Sequence, residues 1–453
     1  MYKNNSSVEL IRKLKRPLLL QGPIGGFFRH LMREYKSAGA TPFKINFNGG
    51  DEYYMRGFSE NVFSYKEPMI NFGEYVKEFI QRNRIDGIIL FGDCRPLHKV
   101  AIEVARANNV AVFVFEEGYI RPNFITLEVD GVNANSPLMG KIEEELKDFK
   151  VSKAYNDEEF QHTKDLQVKH FHDMKDMVIR AMNYWFYMEI GKVNFKYYEH
   201  HKDGDFFRSM FYWAKSYFKK KFYKTKESWI EDYVQRDLDK KYFLVALQVY
   251  NDSQIKDHSK FRNNKRFIYN VMKSFAKNSN GTDFLIIKQH PLDVPYHNYS
   301  KFIKHLMGSF KLENRVLYVH DLHLPTLIKH SKGLITINST TGLSSLYHKI
   351  PTITMGRALY NIKGLCFQYG IDKFWKSKLS VNYNTFKKFR NLLITKTQIV
   401  GSFYNNDHYP EIINIEQKRL AANRLKDVIS CDRKLVEEAF DSKSVEINFN
   451  KSA

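Results

Sequence analysis

Two adjacent carboxylic acids, Glu116 and Glu117, close an apolar run that reads VAVFVFEEG over 110–118. A carboxylate at the end of a strand can act as a nucleophile or as a general acid or base. Neighbours on a strand point to opposite faces, so we expect the turn at Gly118 to aim only one of the two into a cleft. A structural ion pair with Arg121 is the alternative. Two acids after so apolar a run favour catalysis.

A second polar cluster, GDCRPLH over 92–98, follows the apolar run GIILF and supplies Asp93, Arg95 and His98. Asp93 is a further candidate catalytic acid. Arg95 and His98 are candidates for binding a substrate carboxylate or an acceptor. Asp93 could instead cap the helix that Pro96 opens. The cation and the imidazole so close to Asp93 favour a site.

The glycine-rich turn QGPIGGFF over 21–28 brings Gly25 and Gly26 to the end of another predicted strand. Such a turn lets the backbone approach a phosphate or a sugar at a helix N-terminus. It matches neither the dinucleotide-binding glycine pattern nor a Walker loop. A tight connection between strand and helix explains it equally well.

Three loops in the second half of the chain carry side chains that suit a nucleotide phosphate. The candidate residues are Gln248, Asn251, Asp252 and Ser253, then Lys288 and His290, and then Ser339, Thr340, Thr341 and Gly342. Hydroxyls and free N–H groups at a helix start, beside a lysine and a histidine, favour phosphate binding. Asn-Asp-Ser is also common in ordinary turns, and Ser339 or Thr341 could be a helix cap.

These residues need strands and helices to position them, and apolar runs alternate with helical patterns in both halves of the chain. This alternation predicts parallel α/β sheets, with ligands at the carboxyl ends of the strands. The predicted strands lie at the start of 16–26 and at 43–48, 87–93, 110–118, 242–250, 283–291, 315–321, 332–338 and 350–356. Predicted helices begin at about Phe27 and cover 96–108, 299–310 and 341–348. Two such halves predict an enzyme with a cleft between two domains.

The middle of the chain, 141–240, has a different composition. Between residues 184 and 226 there are sixteen aromatic residues, ten Lys or Arg and four acids. This tract could pack between the two halves, lie on a membrane surface with its lysines at the head groups, or stack on single-stranded nucleic acid. Its composition does not separate these three roles.

The composition of the whole chain limits the class of protein. A length of 453 residues predicts two or three domains, and the net charge of +21 favours an anionic partner. Cys94, Cys366 and Cys431 form neither a disulfide framework nor a paired zinc motif. We found no motif for a metal, no secretory signal and no long apolar segment, so we expect a cytoplasmic protein whose membrane contact is peripheral.

Six motifs in fixed order resemble one known family. They read QGPIGGFF, NFNGGD, FEEGYIRPNFITLE, LQVYNDSQI, KQHP and INSTTGLSSLYHKIPTITMGRALYNIKGL, and they span about residues 16–375. Together they resemble the capsule polysaccharide biosynthesis and export proteins of the KpsS/LipB type. Six ordered motifs are far more specific than any one of them.

The resemblance implies a GT-B-like pair of Rossmann-like domains joined by a helical, aromatic and basic segment. The expected divisions are an N-terminal domain with the catalytic carboxylate (1–140), the middle segment (141–240), a C-terminal nucleotide-sugar domain (241–440) and a polar tail (441–453). It implies a retaining transferase that moves Kdo from CMP-β-Kdo to a (lyso)phosphatidylglycerol acceptor and starts a poly-Kdo capsule linker. No cofactor and no metal are expected, and nucleic acid is not an expected partner. The expected partners are the anionic inner face of the inner membrane, a KpsC-type transferase and a capsule ABC transporter.

The resemblance also implies roles for individual residues. Related KpsC-type transferases carry an acidic-Asp-Gly-Phe motif, and its alignment with EEGY puts Glu117 at the nucleophile position with an arm one methylene longer. Glu116 is then the acid/base or a structural support, and Arg121 or Arg95 orients the Kdo carboxylate. The CMP side would comprise His290, Ser339, Thr340 and Gly342, with Lys288 close by. A non-catalytic scaffold that binds lipid-linked polysaccharide through a degenerate fold is the alternative function.

Overall fold

A computed structural model describes residues 5–121, 123–150, 176–200, 206–250, 253–256 and 258–413. The described strands form two separate sheets, one built mainly from the first half of the chain and one from the second half. The strands are β1 (Pro17–Leu19), β2 (Phe43–Asn46), β3 (Val62–Ser64), β4 (Gly87–Phe91), β5 (Ala111–Glu117), β6 (Phe124–Val129), β7 (Tyr242–Ala246), β8 (Phe284–Lys288), β9 (Val316–Val319), β10 (Gly333–Thr336), β11 (Thr352–Thr354) and β12 (Gln398–Val400).

The helices lie between these strands, as expected for α/β units. They are α1 (Ser6–Arg12), α2 (Phe27–Ser37), α3 (Gly49–Tyr54), α4 (Phe72–Asn83), α5 (Pro96–Ala107), α6 (Ile142–Asp148), α7 (176–191), α8 (Phe206–Arg236), α9 (Ser253–Lys256), α10 (Asn264–Asn278), α11 (Ser300–Phe310), α12 (Leu324–His330), α13 (Thr341–Tyr347), α14 (Ile371–Phe374) and α15 (Tyr383–Thr397). Within the described ranges, no helix combines the length and the apolar character needed to cross a bilayer.

The first sheet has the order β12-β6-β5-β4-β1-β2-β3. Strands β1 to β5 run parallel, while β6 returns antiparallel to β5 and β12 pairs antiparallel with β6. The run of apolar side chains in β4 is buried on both faces, as is typical of a central parallel strand. Helices cover both faces of this sheet.

The second sheet has the order β11-β10-β7-β8-β9, and all of its strands are parallel. Helices α10 and α11 pack against one face, and α8 and α12 pack against the other. The predicted GT-B-like pair of Rossmann-like α/β halves is thus confirmed.

A separate apolar cluster joins the two halves and so fixes the cleft between them. It packs Tyr119 and Ile142 from the first half against Leu346 and Leu359 from the second, with Phe389 of α15. The chain also crosses back, since β12 lies late in the sequence but extends the first sheet. The sequence did not predict β3, β6 or β12. These strands are short or lack a long apolar run, so pairing with neighbouring strands and tertiary packing, such as that of Ile125, Leu127 and Ile399 in the core, stabilise them.

Candidate active site

A polar cavity of about 350 Å³ lies between the two halves, and we call it the cleft cavity. Its wall is formed by the ends of strands and the loops that follow them, as expected for parallel sheets. The lining residues are Glu116, Glu117, Tyr119, Arg121, Asn133, Gln248, Val249, His290, Asn338, Ser339, Thr340 and Thr341. Eight of these twelve residues are site residues that the sequence predicted, and they come from both halves of the chain.

Glu116 is one of the two acids in the wall of the cleft cavity. Its Oε1 accepts a hydrogen bond of 3.0 Å from the backbone N–H of Glu117. Desolvation by the surrounding protein raises its pKa from 4.5 to about 7, and the charges of Glu117 and Asp93 act in the same direction. The Glu117 N–H and Arg95 oppose this shift only in part. A carboxyl group with a pKa near 7 is well suited to transfer a proton at neutral pH.

Glu117 is the last residue of β5 and also lines the cleft cavity. The hydroxyl of Tyr404 donates to its Oε1 at 2.5 Å and so holds the carboxylate in one orientation. The expectation that strand alternation lets only one glutamate reach the cleft is therefore wrong, because both acids at the end of β5 line the cavity. The proposed ion pair with Arg121 is not among the described salt bridges, and the Nε of Arg121 donates to the carbonyl of Gly118 at 3.3 Å.

Gly118 makes the sharp connection from β5 to β6 possible. A Cβ atom at this position would lie 2.2 Å from the carbonyl oxygen of Phe124. No side chain fits at such a distance, so only glycine allows the hairpin to bring Arg121 back over the strand end. The antiparallel pairing then sets Glu117 opposite Ile125.

Tyr119 lines the cleft cavity and is anchored from behind by a buried acid. Its hydroxyl donates to Glu128 at 2.6 Å and accepts from the N–H of Asn133 at 2.6 Å. Burial raises the pKa of Glu128 to about 7, although the hydroxyls of Ser136 and Tyr119 oppose the shift. This network positions the loop that carries Asn133 into the cavity wall.

Asp93 is buried and lies outside the cavity lining. Its Oδ2 accepts from the N–H of Val132 at 3.0 Å and from the Nδ2 of Asn135 at 3.1 Å. The residue directly before α5 is Arg95, and no side chain caps this helix, so the alternative role of Asp93 as its cap is wrong. Asp93 holds the 132–135 loop in place, and we now assign it a positioning role rather than a catalytic one.

The second half contributes hydroxyl and amide groups to the cleft cavity. Gln248 follows β7, and its Oε1 accepts from the N–H of Asn338 at 3.1 Å, which ties the end of β7 to the end of β10. The hydroxyl of Ser339 donates to Thr341 Oγ1 at 3.1 Å and accepts from its N–H at 3.2 Å. Ser339 therefore serves partly as the local cap that was the alternative to phosphate binding. Thr340, the residue before α13, makes no capping bond.

His290 reaches the same cavity from the loop after β8. The backbone N–H of Leu292 donates to its Nδ1 at 3.2 Å. A nitrogen that accepts a hydrogen bond carries no proton, so the neutral imidazole has its N–H at Nε2. His290 lines the cleft cavity, where an imidazole N–H is a donor of the kind that suits an anionic ligand group.

Two residues predicted for the nucleotide site lie outside the cleft cavity. Lys288 is buried, and its ammonium donates to the carbonyls of Gln289 and His320 at 3.5 and 3.3 Å, so we no longer assign it to the phosphate. Gly342 is required by packing, because a Cβ atom there would lie 2.4 Å from the hydroxyl of Tyr360. That hydroxyl donates to the carbonyl of Ser339.

Arg95 and His98 line a second cavity of about 370 Å³ on the first half, which we call the side cavity. Arg95 donates to the Oε1 of Gln21 at 2.8 Å. His98 is buried and contacts the carbonyl of Gly92 through Nδ1 at 2.7 Å. Burial and the charge of Arg95 lower its pKa to about 3, so this imidazole is neutral. Neither residue reaches the cleft cavity, although Arg95 is close enough to Glu116 to affect its pKa.

The Gly25–Gly26 turn is covered by protein rather than open to a ligand. The N–H of Gly26 donates to the hydroxyl of Tyr409 at 3.2 Å, and Arg180 donates to the same oxygen at 3.0 Å. The interpretation as a tight strand–helix connection is the better one. Of the remaining predicted residues, Asn251 and Asp252 lie outside the described residues, and Ser253 begins α9.

Four lining residues and one supporting residue were missed. Tyr119, Val249 and Asn338 lie within motifs named in the sequence analysis, and Asn133 lies in the loop after β6. Their position near the end of a strand could have identified them as residues of the site. Tyr404 had no such signal, because it lies 287 positions from Glu117 in a segment without a motif.

A family model and two curated relatives that match this chain are all described as capsule polysaccharide proteins. Residues 86–404 match the family model described as capsule polysaccharide biosynthesis protein. The capsule polysaccharide export protein KpsS of Escherichia coli is 36% identical over 395 residues, which cover 86% of this chain and 97% of that protein. The capsule polysaccharide modification protein LipB of Neisseria meningitidis serogroup B is 35% identical over 412 residues, which cover 90% and 96%.

Similar solved structures have low sequence identity. The KpsC β-Kdo 2,7 transferase of Thermosulfurimonas dismutans has a TM-score of 0.40 at 14% identity, with 82% of this chain and 88% of that chain covered. A glycosyltransferase of Rickettsia africae has a TM-score of 0.33 at 12% identity, with 91% and 99% covered.

Proposed function

The chain belongs to the family of capsule polysaccharide biosynthesis proteins, and from this premise we propose that it transfers Kdo from CMP-β-Kdo to a phosphatidylglycerol-type lipid with retention of configuration. The membership confirms the resemblance predicted from the six ordered motifs. One observation carries the proposal: the cleft cavity sets two acids of the first half opposite the imidazole and hydroxyls of the second half. The product would be the first unit of a poly-Kdo linker, for which a KpsC-type transferase and a capsule ABC transporter are the implied partners.

In the first step, Glu117 is the nucleophile. Its carboxylate attacks the anomeric carbon of Kdo, the bond from that carbon to the phosphate oxygen breaks, and CMP leaves with the bonding electrons. Arg121 lines the same cavity and pairs with the carboxylate of the sugar. The N–H of His290 and the hydroxyls of Thr340 and Thr341 stabilise the charge that develops on the leaving phosphate.

In the second step, Glu116 is the general base. It takes the proton of the acceptor hydroxyl, whose oxygen attacks the anomeric carbon and releases Glu117. Two inversions at one carbon give net retention, by the logic of retaining glycosidases. The pKa of Glu116 near 7 lets it accept this proton at neutral pH.

A direct assay tests the proposed reaction. Purified protein is incubated with CMP-Kdo and a phosphatidylglycerol acceptor, and both the released CMP and the Kdo-lipid are measured. We expect equal amounts of the two products. Binding of lipid without either product would replace the proposal with the non-catalytic scaffold.

Tyr404 is expected to position Glu117 for attack. Replacing it with Phe removes the hydrogen bond to Oε1, so we expect kcat to fall about tenfold, the equivalent of about 1.4 kcal/mol, with little change in the KM for CMP-Kdo. Tyr242→Phe is the matched control, because it removes another buried hydroxyl bond, to the carbonyl of Leu327, in the second sheet. Equal effects of the two changes on kcat would argue against a positioning role for Tyr404.

The exposed side of α7 supports contact with an anionic membrane. Tyr184 and Met188 bury one face of this helix, and Tyr184 donates to the carboxylate of Asp51 at 3.2 Å. The opposite face carries exposed apolar side chains at helical spacing, namely Ile179, Phe186, Ile190 and, just beyond the helix, Val193. Exposed Lys192 and Lys196 follow this stripe. Apolar side chains beside lysines are typical of surfaces that lie in the head-group region of a bilayer.

Replacing Ile179 and Ile190 together with Asp is expected to weaken binding to phosphatidylglycerol vesicles at least about tenfold, because two exposed apolar contacts become charges that the bilayer repels. Both side chains are more than half exposed, so folding should not change. Tyr369→Asp, a change at a side chain 71% exposed in the second half, is the control. Co-sedimentation with vesicles measures the effect, and unchanged binding of the double variant would exclude this face.

A further inference from the structure

An apolar cavity of about 410 Å³ adjoins the cleft cavity. Its walls are formed largely by apolar side chains, among them Ile120, Phe124, Leu324, Ile328, Leu343 and Phe386. It shares Tyr119, Arg121, Thr340 and Thr341 with the cleft cavity, so the two spaces meet at these residues. A volume of several hundred Å³ is in the range that holds a small organic ligand.

The charged side chains that line this apolar cavity are arginines, and its other polar groups are mostly hydroxyls. Arg121 lies at the junction with the cleft cavity, and Arg390 of α15 also lines the wall. No Asp or Glu occurs among its described lining residues. His348 is a lining residue as well, and burial together with Lys329 and Lys240 lowers its pKa, as expected where the local charge is positive.

Across the cleft cavity and the apolar cavity together, acidic, cationic and apolar side chains follow one another in that order. Glu116 and Glu117 lie in the cleft cavity, Arg121 at the junction, and the apolar walls beyond it with Arg390. A phospholipid has the same order of groups, because a head-group hydroxyl is separated from the hydrocarbon chain by a phosphate. Arginine binds phosphate through charge-assisted hydrogen bonds, and an apolar wall favours a hydrocarbon chain.

We infer that the apolar cavity is the subsite for the hydrocarbon chain of the lipid acceptor, with the acceptor phosphate bound by the two cations that line it, Arg121 at the junction and Arg390. This inference rests on the proposed function, since it takes the acceptor to be a lipid. It adds a location for the hydrocarbon chain, which the sequence analysis does not assign. The acceptor hydroxyl then enters the cleft cavity past Arg121, while the donor occupies the side of His290.

Ser344 offers a way to fill the apolar cavity without disturbing the core. It lines the cavity, and its side chain is exposed on α13. We expect Ser344→Phe to weaken the binding of lauroyl lysophosphatidylglycerol at least tenfold and to leave the binding of glycerol phosphate unchanged. Ser309→Phe, at an exposed serine of α11, is the matched control and should bind both probes as the parent does. Arg390→Gln should weaken both probes, because both carry the phosphate.

Isothermal titration without CMP-Kdo measures these affinities, and thermal melting verifies that each variant is folded. Undiminished binding of the lysolipid by Ser344→Phe, an equal loss in Ser309→Phe, or no binding by the parent protein would overturn the inference. Since no donor is present, the result does not depend on glycosyl transfer. Absence of transfer with the chain-dependent binding intact would count against the proposed function alone.

Discussion

Replacement of Glu117 with Gln is expected to abolish Kdo transfer, with a loss of at least about a thousandfold in kcat, because an amide cannot form the covalent intermediate. The change keeps the shape of the side chain, and the hydroxyl of Tyr404 can still donate to the amide oxygen. We therefore expect the melting temperature and the binding of CMP to stay close to those of the parent. Release of CMP in a continuous assay measures the loss.

A control and a direct observation make this prediction decisive. Glu145→Gln removes an acid paired with Lys396 on the surface between α6 and α15, and it should leave transfer intact. Mass spectrometry of the parent protein, quenched during turnover and digested, should show a mass increase of one Kdo residue that fragmentation of the peptide places on Glu117. Near-normal turnover of Glu117→Gln, or an adduct on Glu116 instead, would refute the assignment.

The second large effect is expected at Glu116. As a general base it must be ionised, and its pKa of about 7 predicts that transfer falls about tenfold per pH unit below this value. Glu116→Gln should lower kcat by about 10²–10⁴-fold, the usual contribution of a general base, and should remove the inflection. Initial rates measured between pH 5 and 9 test both statements.

Glu128 provides the matched control for the pH profile. Its pKa is also about 7, but it lies behind Tyr119 and outside the cleft cavity lining. We therefore expect Glu128→Gln to keep the inflection in the rate of transfer. An inflection that disappears in Glu128→Gln and persists in Glu116→Gln would contradict the assignment of the base.

The raised pKa of Glu116 also predicts an effect on stability, with a defined sign. Between its usual value of 4.5 and about 7, the folded protein holds a proton that the unfolded chain has lost, so stability falls as the pH rises through this range. Glutamine cannot become charged. Glu116→Gln should thus be more stable than the parent above pH 7, by roughly 1–3 kcal/mol, while being less active. Denaturant unfolding at pH 8 measures the difference, and a less stable variant would show that the activity loss is a folding defect.

The sequence by itself determined the local elements and where their polar ends lie. Nine strands were predicted because each contains an apolar run that only a buried strand or helix can accommodate, and each is present in the two sheets. Glu116, Glu117 and the Ser339–Thr341 hydroxyls were found for the same reason, since polar residues directly after such a run lie at a strand end. Parallel strands then bring these ends to one edge of the sheet.

Only the tertiary structure decided which of these groups line the same cavity and which of them have a shifted pKa. Arg95 and His98 resemble the other candidates in sequence, yet they line the side cavity, and the ammonium of Lys288 turns to backbone carbonyls. The pairing of Tyr404 with Glu117 and the contribution of Arg390 to the apolar cavity depend on β12 and α15 returning to the first half from the far end of the chain. Side-chain periodicity reports neighbours within a few residues, whereas these contacts, and the desolvation that raises the pKa of Glu116, arise only when segments far apart in the sequence pack together.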